Sequence, residues 1–301
     1  MSIQHEETAV APFSAGQGRA RVAVPPAACD CHVHVYDARC PAVPGARLTP
    51  SDASVADYRA LQRRTGTERV VFVTPSTYGT DNRLLLQALA EVGAAARGVA
   101  VVDAQASDAT LQALHAAGVR GARLNLSLGV VHDASALETL AARIAPLGWH
   151  LQLLAQPDLL ASLGERLLKL PVRLVLDHFG RIAPAMAGQH PAHALVLRLL
   201  AAGRTWLKLS GGYIVSPTGR VDEPGVAALA RGYLRAAPER LVWGSDWPHA
   251  SASAGHQPMP DDAQQIEALA AWTGDAALLR RVLVDSPAAL YGFPTHTEED
   301  T

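Results

Sequence analysis

The chain is predicted to fold as a single (β/α)8 barrel, the TIM-barrel form of the α/β class, and three observations carry that prediction. The first is scale: 301 residues with 49% hydrophobic and 18% charged side chains supply the core of one large barrel and are not a disordered composition. The second is a repeated beat of eight short apolar runs, each followed by a helical pattern. The runs are nearly continuous in apolar residues, as parallel strands covered on both faces require. The third is the lack of a GxGxxG loop after the first run, the usual announcement of an open doubly wound sheet.

Taken in order, residues 1–28 are polar, small and Gly/Ala-rich and read as a mobile tail, with the barrel spanning 29–301. The first strand is Ala28–Tyr36, ACDCHVHVY, bounded by Pro25–Pro26 and Pro41. Alternation along a regular strand puts Asp30, His32 and His34 on one face and Cys31, Val33 and Val35 on the other. A helix follows from Ser51–Asp52 to a Gly66 cap. The later strand runs are RVVFVT from Arg69, GVAVVD from Gly98, VRGARLNL from Val119, WHLQLL from Trp149, VRLVLD from Val172, TWLKLS from Thr205 and LVWGS from Leu241. Helical patterns separate them at Asp81–Gly93, Ser107–Ala117, Ser135–Pro146, Asp158–Leu170, Pro191–Ala202 and Pro224–Ala236, and two more close the chain at Asp261–Ala271 and Asp275–Val284.

Composition limits the function classes. A formal net charge of -2, with only Lys169 and Lys208 as lysines, offers no basic patch for nucleic acid or anionic membrane. No apolar stretch reads as a membrane span or secretory signal, so a cytoplasmic address is expected. Cys29, Cys31 and Cys40 are an odd set and not a disulfide framework. A zinc cluster of these cysteines with His32 and His34 is disfavoured by the opposite strand faces. A homodimer is possible for a barrel of this size.

In a barrel, active groups belong at the carboxyl ends of the strands. Four ends stand out: His32 and His34 on the first, Arg123 and Asn125 on the fourth, Asp177–His178 in LDHFG on the sixth, and Asp246 in WGSDWPH on the eighth. Each has an ordinary structural explanation, but a closed barrel gathers all four around one pocket. Asp246 is the candidate general base, the imidazoles are candidates to polarise a carbonyl or hold a metal, and Arg123 can clamp a carboxylate. Tyr78, Gln152, Arg181, Tyr213 and His249 are further candidates for substrate contact. Lys208 is expected either in the pocket or paired with Asp246 or Asp103.

The HVH of the first strand, the DHFG of the sixth and the GSDWPH of the eighth resemble the amidohydrolase superfamily, in the branch of 2-pyrone-4,6-dicarboxylate lactonases, sugar lactonases and galactarolactone isomerase. The resemblance covers Cys29 to Phe293. It implies hydrolysis of a carboxylate-bearing lactone, with His32, His34 and His178 against the carbonyl as hydrogen-bond donors and Asp246 carrying the proton. In the wider superfamily a lysine or glutamate after the fourth strand and a histidine on the fifth complete a metal site. Here Arg123 and Gln152 stand at those places, and arginine has no lone pair to offer a metal. No metal is therefore expected to be required, with a single zinc on His32, His34, His178 and Asp246 as the alternative. A lactone isomerase, a metal-dependent nonoxidative decarboxylase and a non-catalytic binding barrel are the other readings.

Overall fold

The computed structural model describes residues 10–127 and 133–294. Eight parallel strands follow one another in chain order: β1 (Cys29–Val33), β2 (Arg69–Val73), β3 (Ala96–Ala100), β4 (Val119–Asn125), β5 (His150–Leu154), β6 (Leu174–Leu176), β7 (Thr205–Ser210) and β8 (Leu241–Gly244). The ring closes beyond the last strand. Val33 and Trp247 form a parallel bridge, His34 N–H donates to the Trp247 carbonyl, and Asp246 N–H donates to the His32 carbonyl. The two most polar strand ends are thus tied directly to each other. The expected (β/α)8 barrel is what the chain forms.

The helices on the outside are α1 (Val55–Thr65), α2 (Arg83–Val92), α3 (Asp108–Ala116), α4 (Ala136–Ile144), α5 (Pro157–Ser162), α6 (Gly164–Leu168) and α7 (Pro191–Ala201). They continue with α8 (Gly212–Val215), α9 (Pro224–Ala236), α10 (Ala250–Ser253), α11 (Asp262–Thr273), α12 (Ala276–Arg280) and α13 (Ser286–Tyr291). Their ends carry the local signals that sequence suggests. Ser54 and Asp57 form a reciprocal capping box on α1, and Gly66 ends it in the left-handed region. The single helix expected over Asp158–Leu170 is two short ones meeting at Leu163–Gly164, where glycine is a poor helix former.

Two apolar layers hold the barrel. The outer one lies between strands and helices and includes Val70, Phe72, Leu124, Leu151 and Leu207. The inner one fills the barrel floor with Cys29, Cys31, Val71, Val73, Val99 and Trp206, closed from below by Tyr291 and Phe293. The face assignment for β1 needs correction. Pairing with β2 shifts register between Asp30 and Val33, so the strict alternation breaks there. Cys29 and Cys31 point into the barrel, and His32 and His34 do too. Asp30 turns outward, where it accepts the Tyr58 hydroxyl of α1 at 3.2 Å and the Ser245 N–H at 2.9 Å. Gly244 makes this packing possible, because a Cβ there would lie 2.7 Å from the His32 Cβ.

From residue 10 onward, the segment expected as a tail runs along the barrel wall. The Trp247 indole donates to the Pro12 carbonyl at 2.8 Å, and Arg64 donates to Ser14, Ala15 and Gly18. Residues 1–9 lie outside the described residues.

Candidate active site

The carboxyl ends of β1, β4, β6 and β8 bring His32, His34, Arg123, His178 and Asp246 to one place. Asp246 Oδ1 lies 3.6 Å from His32 Nε2, 4.0 Å from His34 Nε2 and 3.6 Å from His178 Nε2. The two β1 imidazoles approach each other at 3.2 Å between their Nε2 atoms. His34, His178 and Asp246 lie at the base of a cavity of about 310 Å³, whose wall carries Arg123, Asn125 and Arg181, while His32 is fully buried just beneath them and does not line it. Backbone strain concentrates here. His178, Phe179, Arg181, Asp246 and His249 all have φ between 49° and 70°, a region that costs a non-glycine residue about 1 kcal/mol or more. Loops that hold side chains in this way do so against their own preference, and in proteins generally such strain clusters at functional sites.

Below the cavity lies a buried charge network. Lys208 and Asp177 are both fully buried, 3.6 Å apart. Lys208 donates to the Cys31 carbonyl and to Gln152 Oε1, each at 2.8 Å, and lies 3.2 Å from His32 Nδ1. Asp177 Oδ2 receives Gln152 Nε2 at 3.1 Å and Arg123 Nε at 3.4 Å. Burial pushes the Asp177 carboxyl up, but His32, Lys208 and Arg123 around it hold it well below the ordinary range. Lys208 pairs with Asp177, and neither Asp246 nor Asp103 is its partner.

Hydrogen-bond partners fix the proton position of His34. His34 Nδ1 sits 2.7 Å from the Val73 carbonyl, which can only accept, so the single proton of a neutral His34 is on Nδ1. Its Nε2 is then an acceptor. His32 Nδ1 lies 3.2 Å from the Lys208 ammonium, which can only donate, and 3.4 Å from Asp177 Oδ1, which can only accept, so these two neighbours favour opposite tautomers of His32. The expectation that all three imidazoles donate is corrected for His34. Burial lowers the His34 pKa to about 4, and it lowers those of His32 and His178 as well, so all three are neutral at pH 7. Burial pushes Asp246 up, yet His178, His32 and His34 bring it down to about 2, and it is ionised.

Several candidates fall outside the cavity lining. Gln152 is part of the buried network. Tyr78 turns its hydroxyl to the backbone of Asp37, accepting from the N–H at 3.0 Å and donating to the carbonyl at 3.1 Å. Tyr213 and His249 stand behind Asp246, both fully buried. The cavity instead includes Arg47, Ser76 and His256, none of which sequence reasoning singled out. Their loops carry no strand-end signature that would have flagged them.

The fit of a divalent ion can be judged from the donor spacing. A tetrahedral site with ligand bonds of 2.0–2.2 Å has donor atoms about 3.3–3.6 Å apart. His32 Nε2, His34 Nε2 and Asp246 Oδ1 stand 3.2 to 4.0 Å from one another, and His178 Nε2 is 3.6 Å from the same carboxylate oxygen. His34 Nδ1 and His178 Nδ1 are also tied, to the Val73 carbonyl and to Ser210 Oγ, as metal-binding imidazoles are. In spacing, His32, His34 and Asp246 fit as three ligands, and His178 is at ligand spacing from the carboxylate oxygen alone.

A barrel with imidazoles, a carboxylate and cations converging at its carboxyl-terminal rim defines an enzyme of the barrel-hydrolase kind. The comparisons agree. The family model described as Amidohydrolase matches residues 29–293, and the chain belongs to that family. It is 35% identical over 280 residues to a 2-pyrone-4,6-dicarboxylate hydrolase of Comamonas testosteroni, covering 89% of this chain and 91% of the relative. It is 34% identical over 275 residues to a D-galactarolactone isomerase of Agrobacterium fabrum, covering 89% and 92%. The solved apo structure of a protein from Agrobacterium tumefaciens superposes with a TM-score of 0.83 at 32% identity, covering 91% of this chain and 98% of that one.

Proposed function

We propose that this protein hydrolyses a carboxylate-bearing lactone, with Asp246 as the proton carrier. The observation that carries the reading is the ionised Asp246 Oδ1 at the cavity base, facing three neutral imidazoles, with the Arg123 guanidinium in the cavity wall. A water held between Asp246 and His34 Nε2 gives one proton to Asp246 as its oxygen attacks the lactone carbonyl carbon. With its Nδ1 accepting from the Ser210 hydroxyl, His178 offers an Nε2–H to the developing oxyanion, while Arg123 holds the substrate carboxylate. The ring C–O bond then breaks, and Asp246 returns the proton to the leaving oxygen. Hydrolase and isomerase relatives both handle a lactone or its ring-opened neighbour, and the site's single carboxylate base suits water as the nucleophile.

The substrate carboxylate is the second half of the proposal. Among the described residues no carboxylate pairs with Arg47 or Arg181, and both reach the cavity. A bound divalent ion on His32, His34, His178 and Asp246 would add Lewis acidity at the carbonyl and a more acidic water. Reaction without a required metal remains our reading, on a chemical ground. Arg123, which has no lone pair to offer a metal, and Gln152, committed to Asp177 and Lys208, stand at the fourth- and fifth-strand places where the wider superfamily sets further ligands.

The test is a turnover screen over 2-pyrone-4,6-dicarboxylate, galactaro-lactones and aldono-lactones, with and without chelator, in a pH-stat. Hydrolysis releases one acid equivalent per turnover, whereas isomerisation releases none. Asp246→Asn is expected to abolish turnover in a correctly folded protein. Full turnover by that variant, or conversion without acid release, overturns the proposal.

A further inference from the structure

The two oxygens of Asp246 have different surroundings. Oδ1 faces the cavity imidazoles, while Oδ2 accepts the Tyr213 hydroxyl at 2.7 Å. Behind Tyr213 a chain of buried groups runs outward through the wall. The Tyr213 oxygen lies 3.3 Å from His249 Nδ1, and His249 Nε2 lies 3.0 Å from Asp262 Oδ2. Gln265 then donates to Asp262 Oδ1 at 2.7 Å and to the Ser245 carbonyl at 3.2 Å, returning the chain to the end of β8. Tyr213, His249 and Asp262 are all 0% exposed. None of them lines the cavity, so their polar groups serve one another and Asp246 rather than a ligand.

A carboxylate on an aspartate side chain can rotate about its last bond, which swings both oxygens away from their partners. Here that rotation is opposed by the phenol proton on Oδ2. The phenol is itself seated, because its ring packs edge-on against the His249 ring at 5.4 Å and its oxygen meets His249 Nδ1. We propose that Tyr213, held from behind by His249 and Asp262, is a positioning residue that occupies Asp246 Oδ2 and leaves Oδ1 as the oxygen offered to the reacting water. This rests on the reading of Asp246 as the proton carrier. It also changes the role expected from sequence: Tyr213 and His249 act through Asp246 and do not touch the substrate.

The experiment uses Tyr213→Phe, which keeps the ring and its packing, together with His249→Gln, the double variant and Asp246→Asn. Kinetics are measured on whichever lactone of the screen turns over fastest, and the crystal structure of Tyr213→Phe is solved. Losing one hydrogen bond to a charged group is expected to lower kcat about 10- to 100-fold, with KM within about two-fold of the parent. His249→Gln is expected to lower kcat less and to add nothing in the Tyr213→Phe background, since it acts through the phenol. The Asp246 carboxylate is expected to turn or to occupy two orientations in the crystal. Unchanged kcat in Tyr213→Phe, a loss carried by KM, or multiplying losses in the double variant overturn the proposal. So does an Asp246 carboxylate that keeps Oδ1 on the three imidazoles without the phenol, a result that needs no substrate. If Asp246→Asn is inactive while Tyr213→Phe has parental kcat, the positioning role alone fails. If Asp246→Asn turns over fully, the reading of Asp246 fails and the positioning role with it.

Discussion

Lys208→Met tests whether the buried network beneath the cavity has been read correctly. The substitution keeps most of the side-chain length but removes the ammonium. Two acceptors, the Cys31 carbonyl and Gln152 Oε1, then lose a charged donor, and His32 Nδ1 loses its neighbouring cation. Asp177 loses the cation 3.6 Å from its Oδ1 and keeps Arg123 as its one neighbouring cation, 3.4 Å from Oδ2, with Gln152 and His32 as neutral neighbours. Leaving a buried charge short of its partner costs about 3–5 kcal/mol. The unfolding entropy of a chain of 301 residues is about 0.6 kcal/mol per kelvin, so the midpoint falls by about 5–8 °C. Urea unfolding followed by circular dichroism measures the first quantity and calorimetry the second. Adding Asp177→Asn removes the stranded charge, and the double variant is expected to regain about half of the loss. A single variant within about 1 kcal/mol of the parent, or a double variant whose losses simply add, would refute this account.

Three other outcomes follow from the same structure. Gly121→Ala puts a Cβ 2.3 Å from His150 Nε2 inside the barrel, so it is expected to destabilise by about 2 kcal/mol or more, and by less than half of that in a His150→Ala background; denaturant midpoints of the four proteins check it. Arg123→Lys keeps the charge but loses the planar fork, and kcat/KM toward a carboxylated lactone is expected to fall about 10- to 100-fold, mainly through KM; equal losses on an uncharged lactone would remove the clamp role. Stability is expected to fall between pH 7 and pH 5. Burial keeps His32, His34, His150 and His178 neutral in the fold, while the unfolded chain takes up their protons near the ordinary 6.5. Their contribution is complete above that value and is lost as pH falls, and for His34, lowered to about 4, it amounts to about 3 kcal/mol. Asp30, raised by burial to about 6, and His249, raised on balance by Asp262, have the opposite sign, and denaturation curves at the two pH values show which set dominates.

The barrel was legible because its signal is local. Runs such as RVVFVT are apolar on both faces, and the helices between them carry their own caps. The main site was legible for a related reason: His32, His34, His178 and Asp246 are polar groups at the ends of apolar strands, and barrel closure fixes where such ends meet. What sequence left hidden depends on contacts between distant parts of the chain. The face of Asp30 is decided by how β1 pairs with β2, and no pattern within ACDCHVHVY announces a register shift. The partner of Lys208 is 31 residues away in sequence and on the neighbouring strand's end, and its chemistry alone could not choose Asp177 over Asp246. Tyr213, His249 and Asp262 were visible as polar residues, but only the packing of α8, the β8 end and α11 lines them up behind Asp246.

If the site works as proposed, that hidden layer decides how it selects its substrate. Inside the barrel, Lys208 and Arg123 are matched by Asp177 and Asp246, and the three imidazoles between them are neutral, so the cavity base has no surplus charge. Attraction for a carboxylate therefore comes from two sources that differ in kind. One is the part of the Arg123 fork that its Nε contact with Asp177 leaves uncommitted. The other is the rim, where neither Arg47 nor Arg181 forms an ion pair within 4.0 Å among the described residues, Asp246 acting on Arg181 only from further off. The base supplies geometry and the rim supplies charge. A substitution at the rim should then weaken binding in a salt-dependent way with little effect on the chemical step, whereas one at Asp246 or its imidazoles should do the reverse.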